Sequence, residues 1–315
     1  MKKKICFRAD ASATIGYGHF IRSLALADML KDEFDCVFYT SEPSLYQIDE
    51  LQKVCSFIPL AEKTKFDDFF DYLDGTEIVV LDNYFFTTEY QREIKAKGCK
   101  LVCIDDMHDK HYVADAIINH GPVVPDDFDC EPYTKLALGS NYVLLRRPFL
   151  QPLQNKQRNN TVIVNFGGAD PQHLTDKVIS LLFQTNVPFD VVTILGDKTF
   201  LSEKNRQKVK ILKNLSAQQM ADLFETAAFG ILPASTVSME ATSRGLPLMV
   251  GYFVDNQAEG YSKSVKRGGF IPLGNLQELT IEKLASALTQ LNGFYVSVPD
   301  YTCVPRNFEL LFKSL

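Results

Sequence analysis

Short runs rich in β-branched residues alternate with helical patterns along this 315-residue chain. Parallel strands need a crossover helix between them, so the alternation predicts an α/β fold with helices on both faces of parallel sheets. The predicted strands are Lys4–Ala9, Cys36–Thr40, Ser56–Leu60, Glu77–Asp82, Lys100–Asp105, Ala116–Asn119, Thr161–Phe166, Asp190–Leu195, Val209–Leu212, Phe229–Pro233 and Leu246–Gly251.

The segments between these strands carry apolar residues at helical spacing. Ser216, followed by Gln219 three residues later, has the pattern of a capping box and marks one helix start. The predicted helices include Phe20–Lys31, Thr88–Ala96, Leu174–Phe183, Ala217–Thr226 and Thr236–Arg244.

The alternation stops at Gln151–Asn160 and resumes with the apolar run TVIVNF. We interpret this polar segment as an interdomain linker. It separates a first domain, 1–150, from a second, 151–315, whose last helix packs either there or back on the first domain. The prediction is two Rossmann-like domains facing a cleft. Ligands of such sheets bind beyond the carboxyl ends of the strands, so the residues that follow each strand are the candidates for a site.

Composition excludes several classes of protein. The net charge of −6, the pI near 5.5 and the absence of any Lys/Arg run beyond Lys2–Lys4 disfavour a nucleic-acid partner. No apolar stretch approaches the ~20 residues that span a bilayer, and Arg8 and Asp10 interrupt any signal-peptide core. Seven cysteines without a C-x-x-C pair predict reduced thiols in a cytoplasmic protein.

A glycine-containing loop joins the first predicted strand to the first helix. Gly16 and Gly18 allow close approach of the backbone to a ligand, and His19 lies where the helix begins. The helix dipole there favours a neutral imidazole, which is able to accept a proton. Ile21 stands where a dinucleotide fingerprint has its third glycine, which disfavours a nicotinamide cofactor. The alternative is a tight turn in which His19 only caps the helix.

Two polar clusters follow later strands of the first half. Tyr84, in Asp82–Asn83–Tyr84, is placed to orient a water or a sugar hydroxyl, although a core aromatic is the simpler interpretation. The second cluster, Asp105–His111, contains acids and two histidines but lacks a metal motif of known spacing. We therefore expect hydrogen bonding and loop ordering there rather than a metal site.

Small and hydroxyl residues follow strands in the second half. Gly167–Gly168 and Ser235–Thr236 lie at helix starts, where free N–H groups and the positive dipole end suit a diphosphate. Glu240, one turn further, is either a ribose ligand or part of a solvated helix face. Asn256–Gln257 either bind polar sugar substituents or cap a helix.

Taken in order, these segments resemble the nucleotide-sugar hydrolases of pseudaminic acid biosynthesis, which release UDP from UDP-2,4-diacetamido-2,4,6-trideoxy-altrose. The resemblance implies a GT-B fold, similar to that of the peptidoglycan N-acetylglucosaminyltransferase. The matching stretches are R-A-D-x-x-x-x-I-G-x-G-H-x-x-R-x-L-A-L-A (8–27), D-N-Y (82–84), I-D-D (104–106), N-Y-V-L-L-R (141–146), F-G-G-A-D-P (166–171), S-T-V-S-M-E-A (235–241), G-L-P (245–247) and D-N-Q (255–257).

The resemblance also implies roles for individual residues. The general base falls on His19 and the active-site tyrosine on Tyr84, with no cofactor, metal or obligate protein partner. Departures are Asn83 where histidine is common, Ala169 in place of a hydroxyl residue, and Pro233 in place of a small one. The residues expected to bind the UDP-sugar are Gly16, Gly18, Arg22, Asp82, Arg146, Gly167, Gly168, Ser235, Thr236, Glu240, Asn256 and Gln257.

The chemistry of these residues suits the implied reaction. UDP is a weaker base than the alkoxide leaving group of ordinary glycosidases, so it can depart without the general acid that those enzymes need. One base that activates water is then sufficient, and the anomeric centre inverts. The alternatives are a GT-B glycosyltransferase with a UDP-sugar donor, a UDP-sugar 2-epimerase, and a nucleotide-sugar binder without catalytic activity.

Overall fold

The computed structural model describes residues 2–12, 16–167, 170, 172–186, 188–196 and 199–315; for residues 255, 256 and 259 it describes the backbone but not the side chains. The chain divides into two compact units. The first comprises Met1–Arg147 and Tyr301–Leu315, and the second comprises Pro148–Asp300.

The first unit is built on a parallel sheet. Its described strands are β1 Lys4–Arg8, β2 Asp35–Ser41, β3 Ser56–Leu60, β4 Ile78–Leu81, β5 Lys100–Ile104, β6 Ala116–Asn119 and β7 Lys135–Leu138. They are hydrogen-bonded in the order β3-β2-β1-β4-β5-β6-β7. β4 reads IVVL and is buried throughout, as is typical of a strand covered on both faces.

Helices connect these strands. Ser44 begins one of them with a capping box in which Gln47 is the reciprocal partner. The helices are α1 Gly18–Leu30, α2 Leu45–Gln52, α3 Lys65–Phe70 and α4 Thr88–Ala96, with 3₁₀ turns at Pro125–Asp127 and Gly139–Tyr142.

The second unit repeats this plan. Its described strands are β8 Thr161–Val164, β9 Asp190–Ile194, β10 Lys210–Leu212, β11 Phe229–Pro233, β12 Leu248–Tyr252 and β13 Ile271–Asn275. They pair in parallel in the order β10-β9-β8-β11-β12-β13. In each sheet the chain starts in the middle, builds outward and then reverses, which is the strand order of a Rossmann fold. The predicted α/β class and Rossmann-like topology are confirmed.

The helices of the second unit include α7, whose start has the predicted capping box between Ser216 and Gln219. The helices are α5 Leu174–Gln184, α6 Glu203–Arg206, α7 Ala217–Thr226, α8 Thr236–Ser243, α9 Asp255–Arg267 and α10 Ile281–Thr289, with 3₁₀ turns at Arg147–Leu150 and Leu276–Glu278. The last helix, α11 Val304–Lys313, belongs to the first unit and packs on α1.

Two strands were not predicted from the sequence, β7 and β13. Each lies at an edge of its sheet. β7 is only four residues long, and β13 contains Pro272 and Gly274, residues that an edge strand tolerates and a central strand does not. Their local sequences therefore resemble loops.

The segment predicted to be an interdomain linker belongs to the second unit. It has no helix or strand, as its composition indicates. However, Arg158 donates hydrogen bonds to the carbonyl groups of Phe224 and Ala227, the latter at 2.7 Å. The backbone N–H of Gln154 donates to the Glu225 carboxylate at 2.5 Å. The Arg158 side chain and the Gln154 backbone thus attach the segment to the residues around Glu225. The segment is polar, but it is not a flexible linker.

In the part of the chain that the structure describes, no helix has the length and the apolar character needed to cross a membrane.

Candidate active site

The first candidate site lies at the carboxyl ends of β1 and β4, where the strand order of the first sheet reverses. Gly16 has a φ of +84°, which glycine adopts readily, and its N–H bonds to the carbonyl of Ser12 at 2.8 Å. α1 then begins at Gly18, two residues earlier than predicted. His19 consequently lies in the first turn of the helix, beside the residues that follow β4.

His19 forms a buried pair with Asp82. Its Nδ1 lies 2.7 Å from Asp82 Oδ1, and the histidine is 6% exposed while the aspartate is fully buried. Arg22, one turn further along α1, donates to both oxygens of the same carboxylate, at 2.8 and 2.6 Å. Ser23 donates to Asp82 Oδ2 at 2.8 Å. Three side chains of α1, those of His19, Arg22 and Ser23, thus donate to one carboxylate.

The charge of Asp82 fixes the tautomer of His19. Burial alone would raise the pKa of Asp82, but Arg22 and His19 outweigh burial and hold it well below the usual value. An ionised oxygen at 2.7 Å only accepts, so His19 Nδ1 must carry the proton. Nε2 is therefore the basic nitrogen. The tautomer of His19 is thus set by its hydrogen bond to Asp82.

Asp82 was predicted to bind the UDP-sugar, and that role stays a prediction. The carboxylate has no exposed surface and is used by His19, Arg22 and Ser23. A buried charge is stable only when it is paired and hydrogen-bonded, and Asp82 meets that condition through its own chain. Its role in the structure is to position His19 and Arg22.

Asp106 continues the cluster on the next strand. Arg22 Nη1 donates to Asp106 Oδ2 at 2.8 Å, and the hydroxyl of Tyr84 donates to the same oxygen at 3.4 Å. Burial opposes the charge of Asp106, but Arg22 holds its pKa below the usual value. The two aspartates together keep the pKa of Arg22 well above its usual value despite burial.

Tyr84 lies against His19. The ring centroids are 4.5 Å apart at 83°, an edge-to-face contact, and Tyr84 is 39% exposed. The interpretation of Tyr84 as a core aromatic is therefore wrong. Asn83, between Asp82 and Tyr84, bonds through its amide to the backbone N–H and carbonyl of Asp10, at 2.7 and 3.2 Å. This clamp joins the loops that follow β1 and β4.

The Asp105–His111 cluster orders its own loop, as predicted. Asp105 Oδ2 accepts from the backbone N–H groups of Met107 and His108, at 3.1 and 2.8 Å. Among the described side chains, no group of three or more His, Cys, Asp or Glu residues is arranged to hold a metal ion. Sequence reasoning did not assign a role to Asp106 itself. The available signal was its place after β5, which pairs with β4.

Arg146 lies further along the first unit, after the buried run Val143–Leu145, and is partly exposed. It is in the same unit as His19, but none of the contacts that define the cluster of His19, Arg22, Asp82 and Asp106 involves it.

The second candidate site lies at the carboxyl ends of β8 and β11, where the order of the second sheet reverses. After β8, Gly167 has a φ of +90° and its N–H bonds to Asn165 Oδ1 at 2.9 Å. After β11, Ser235 precedes α8, which begins at Thr236. Ser235 is exposed and its hydroxyl does not cap α8, unlike the hydroxyl of Ser216 on α7.

Glu240 lies one turn into α8 and is 3% exposed. A solvated helix face, the alternative proposed from the sequence, is therefore wrong. The remaining expectation, a ribose ligand, stays a prediction.

Asn256, Gln257 and Gly168 were the remaining residues of this unit that were expected to bind the UDP-sugar. Gln257, on α9, accepts a hydrogen bond at 3.3 Å through its Oε1 from the backbone N–H of Phe253, so its amide closes the turn before the helix. Asn256 lies on α9, but its side chain is outside what the structure describes, and Gly168 lies outside the described residues.

No protein-family model matches this chain. It is 26% identical to the UDP-2,4-diacetamido-2,4,6-trideoxy-beta-L-altropyranose hydrolase of Campylobacter jejuni, over 84% of this chain and 97% of that protein. It is 22% identical to the spore coat polysaccharide biosynthesis protein SpsG of Bacillus subtilis, over 91% of this chain and 88% of that protein. An uncharacterised protein of Methanocaldococcus jannaschii is 26% identical over 87% of this chain, which spans 61% of its length.

Solved glycosyltransferases share the fold. Arabidopsis thaliana UGT89C1, complexed with quercetin, also aligns, with a TM-score of 0.65 and 12% identity, over 98% of this chain and 94% of its own. The spinosyn rhamnosyltransferase SpnG, complexed with thymidine diphosphate, aligns with a TM-score of 0.64 and 10% identity, over 99% and 96%. The GT-B-like fold and the resemblance to the UDP-sugar hydrolase are confirmed.

Proposed function

We propose that this protein is an enzyme that processes nucleotide sugars, and that it hydrolyses a UDP-linked 2,4-diacetamido-2,4,6-trideoxy sugar to the free sugar and UDP. The observation that carries the proposal is the buried His19–Asp82 pair at the switch point of the first sheet. The resemblance along 97% of the C. jejuni hydrolase supports the same assignment.

His19 is the general base of this proposal. Asp82 holds Nδ1–H, and no described residue bonds to Nε2, so that nitrogen is available to take a proton from water. The hydroxide equivalent attacks the anomeric carbon as the C–O bond to UDP breaks, and the proton moves to Nε2. Attack from the face opposite UDP inverts the anomeric centre. Base assistance of this kind contributes about 10²-fold to about 10⁴-fold.

The nucleotide is assigned to the second unit. Thr236 starts α8 and Ser235 leaves its hydroxyl unused for capping, so backbone N–H groups and a hydroxyl are available to the diphosphate. Gly167 follows the neighbouring strand β8, and the buried Glu240 is assigned to the ribose hydroxyls. Stabilisation of the departing diphosphate by these dipoles replaces a general acid, so the proposed reaction is metal-independent.

A glycosyltransferase that uses the same donor is the second candidate. It is favoured by the fold, which the rhamnosyltransferase SpnG shares. In that case His19 would take its proton from an acceptor hydroxyl instead of water.

The test is incubation with UDP-linked diacetamido sugars in the absence of any acceptor, with and without a chelator, followed by measurement of UDP and free sugar. We expect equal release of both products, unaffected by the chelator. Release that appears only when an acceptor alcohol is added would assign the transferase.

The His19→Asn variant tests the base. Asparagine retains a donor to Asp82 but has no basic nitrogen, so we expect UDP affinity to remain and hydrolysis to fall by about 10²-fold or more. His111→Asn is the matched control, because the His111 side chain bonds to Asp129 and Glu131, and its hydrogen bonds to described residues include none with His19, Arg22, Asp82 or Asp106. Full turnover by His19→Asn would remove the base assignment.

A further inference from the structure

His120 follows β6 at the same edge of the first sheet as the cluster around His19. Ile118 of β6 pairs with Ile104 of β5, so His120 and Asp106 each lie two residues beyond this pair. Sequence reasoning did not single out His120. The histidine is partly exposed and lies within electrostatic range of Arg22, Asp106 and Asp82.

One ring nitrogen of His120 is already used. The backbone N–H of Leu144 donates to His120 Nδ1 at 3.2 Å, which makes Nδ1 the acceptor and places the ring proton on Nε2. Among the described residues, none forms a hydrogen bond with His120 Nε2. The free nitrogen is thus an N–H donor.

The charge state of the ring is also fixed. Burial and the neighbouring Arg22 lower the pKa of His120 to about 4, although Asp106 and Asp82 act in the opposite direction. His120 is therefore neutral near pH 7. The two histidines have opposite tautomers: His19 carries its proton on Nδ1 and His120 on Nε2.

We propose that His120 is a substrate-binding residue that donates a hydrogen bond from Nε2–H to an uncharged oxygen of the sugar, a hydroxyl or an acetamido carbonyl. This inference rests on the proposed function, because it supplies the sugar. The diphosphate is assigned to the second unit, so the sugar is the part of the substrate proposed to lie against His19 and His120, and its hydroxyl and acetamido oxygens accept from an N–H donor. A site built around such a donor discriminates against analogues that lack the acceptor.

A purely structural role is the competing explanation. The bond to Leu144 connects β6 to the segment that leads to Arg146, and its loss would disturb that segment. Two substitutions separate the roles. Asparagine keeps an acceptor near the position of Nδ1 but has no donor at the position of Nε2. Glutamine can place an amide N–H near Nε2 but does not keep the bond to Leu144.

The experiment measures kcat/KM for the UDP-diacetamido sugar, and UDP affinity, in the wild type, His120→Asn and His120→Gln. We expect His120→Asn to lose about tenfold or more in kcat/KM, the loss typical of one hydrogen bond to substrate. We expect His120→Gln to retain more activity than His120→Asn, with UDP affinity unchanged in both. The loss in His120→Asn should be the same at pH 6 and pH 8, since His120 does not titrate between them.

Each other result has a distinct meaning. Wild-type activity in His120→Asn together with impaired His120→Gln would assign the structural role and overturn this inference alone. Failure of the wild type to turn over the UDP-sugar would remove the proposed function and this inference with it.

Discussion

The buried carboxylate of Asp82 positions three side chains of α1. It accepts hydrogen bonds from His19, Arg22 and Ser23 and is fully buried, so its negative charge is balanced by groups of its own chain. The charge fixes which nitrogen of His19 carries the proton. The base function proposed for His19 therefore depends on the charge of Asp82.

The Asp82→Asn variant tests this dependence. Asparagine removes the charge and presents one acceptor where two were used, so His19 loses its fixed tautomer. We expect kcat to fall by about 10²-fold to about 10⁴-fold with UDP affinity unchanged. Steady-state kinetics with calorimetric titration of UDP measures both quantities.

Ser23→Ala is the matched control for Asp82→Asn. It removes one of the bonds to the same carboxylate and leaves those from His19 and Arg22, so only a few-fold fall in kcat is expected. Asp82→Asn with wild-type kcat would show that His19 works without the carboxylate.

Residue by residue, the sequence indicates the cluster only in part. His19 and Tyr84 stand out because they follow strands at the switch point, which is a local signal. The bond from Arg22 to Asp106 joins residues 84 positions apart, and no local pattern reveals it. The same is true of the tautomer of His120, which depends on the backbone N–H of Leu144.

At the scale of elements, two helix starts of the second unit differ in a useful way. Ser216 caps α7 with its hydroxyl and forms a complete capping box with Gln219. Ser235 precedes α8 in extended conformation, and its hydroxyl makes no cap bond. Serine is a preferred N-cap residue, yet only the Ser216 hydroxyl caps its helix.

Replacement of each serine by alanine separates stability from binding. Ser216→Ala should lower the free energy of unfolding by about 1 kcal/mol without changing UDP affinity. Ser235→Ala should leave stability within about 0.5 kcal/mol and weaken UDP binding by about tenfold. Chemical denaturation and UDP titration of both variants measure these effects. Loss of stability without loss of UDP affinity in Ser235→Ala would contradict the assignment.

Most strands are predictable at this scale, including the edge strands β3 and β10, whereas the edge strands β7 and β13 are not. Ser56–Leu60, Ala116–Asn119 and Phe229–Pro233 have the bounds predicted from their apolar runs. β7 and β13 are held as strands by backbone pairing with a neighbour. Their side-chain patterns alone do not identify them as strands.

At the scale of the molecule, the chain returns to its first unit at the end. α11 packs on α1, and its Phe312 meets Phe34, which lies between α1 and β2, with ring centroids 6.1 Å apart. Phe312 is 1% exposed, whereas Leu310 on the same helix is 51% exposed. The last residues of the sequence therefore contribute to the core of the first unit.

Phe312→Ala tests this contribution. Removal of a fully buried aromatic ring should lower the free energy of unfolding by about 3 to 5 kcal/mol. Leu310→Ala, on the exposed face of the helix, is expected to change it by less than about 0.5 kcal/mol. Denaturant titration measures both, and equal effects would show that α11 does not depend on its buried face.

The sequence by itself determined the class of fold and the places where a site can lie, because both follow from the order of strands and helices and from the residues that end them. Only the tertiary structure decided which charges pair, that Asp82 and Glu240 are buried, and which nitrogen of each histidine is free. The physical reason is that hydrogen bonding and burial involve residues far apart in the chain, such as Arg22 and Asp82, which are 60 positions apart. Strand and helix patterns, in contrast, depend on neighbouring residues.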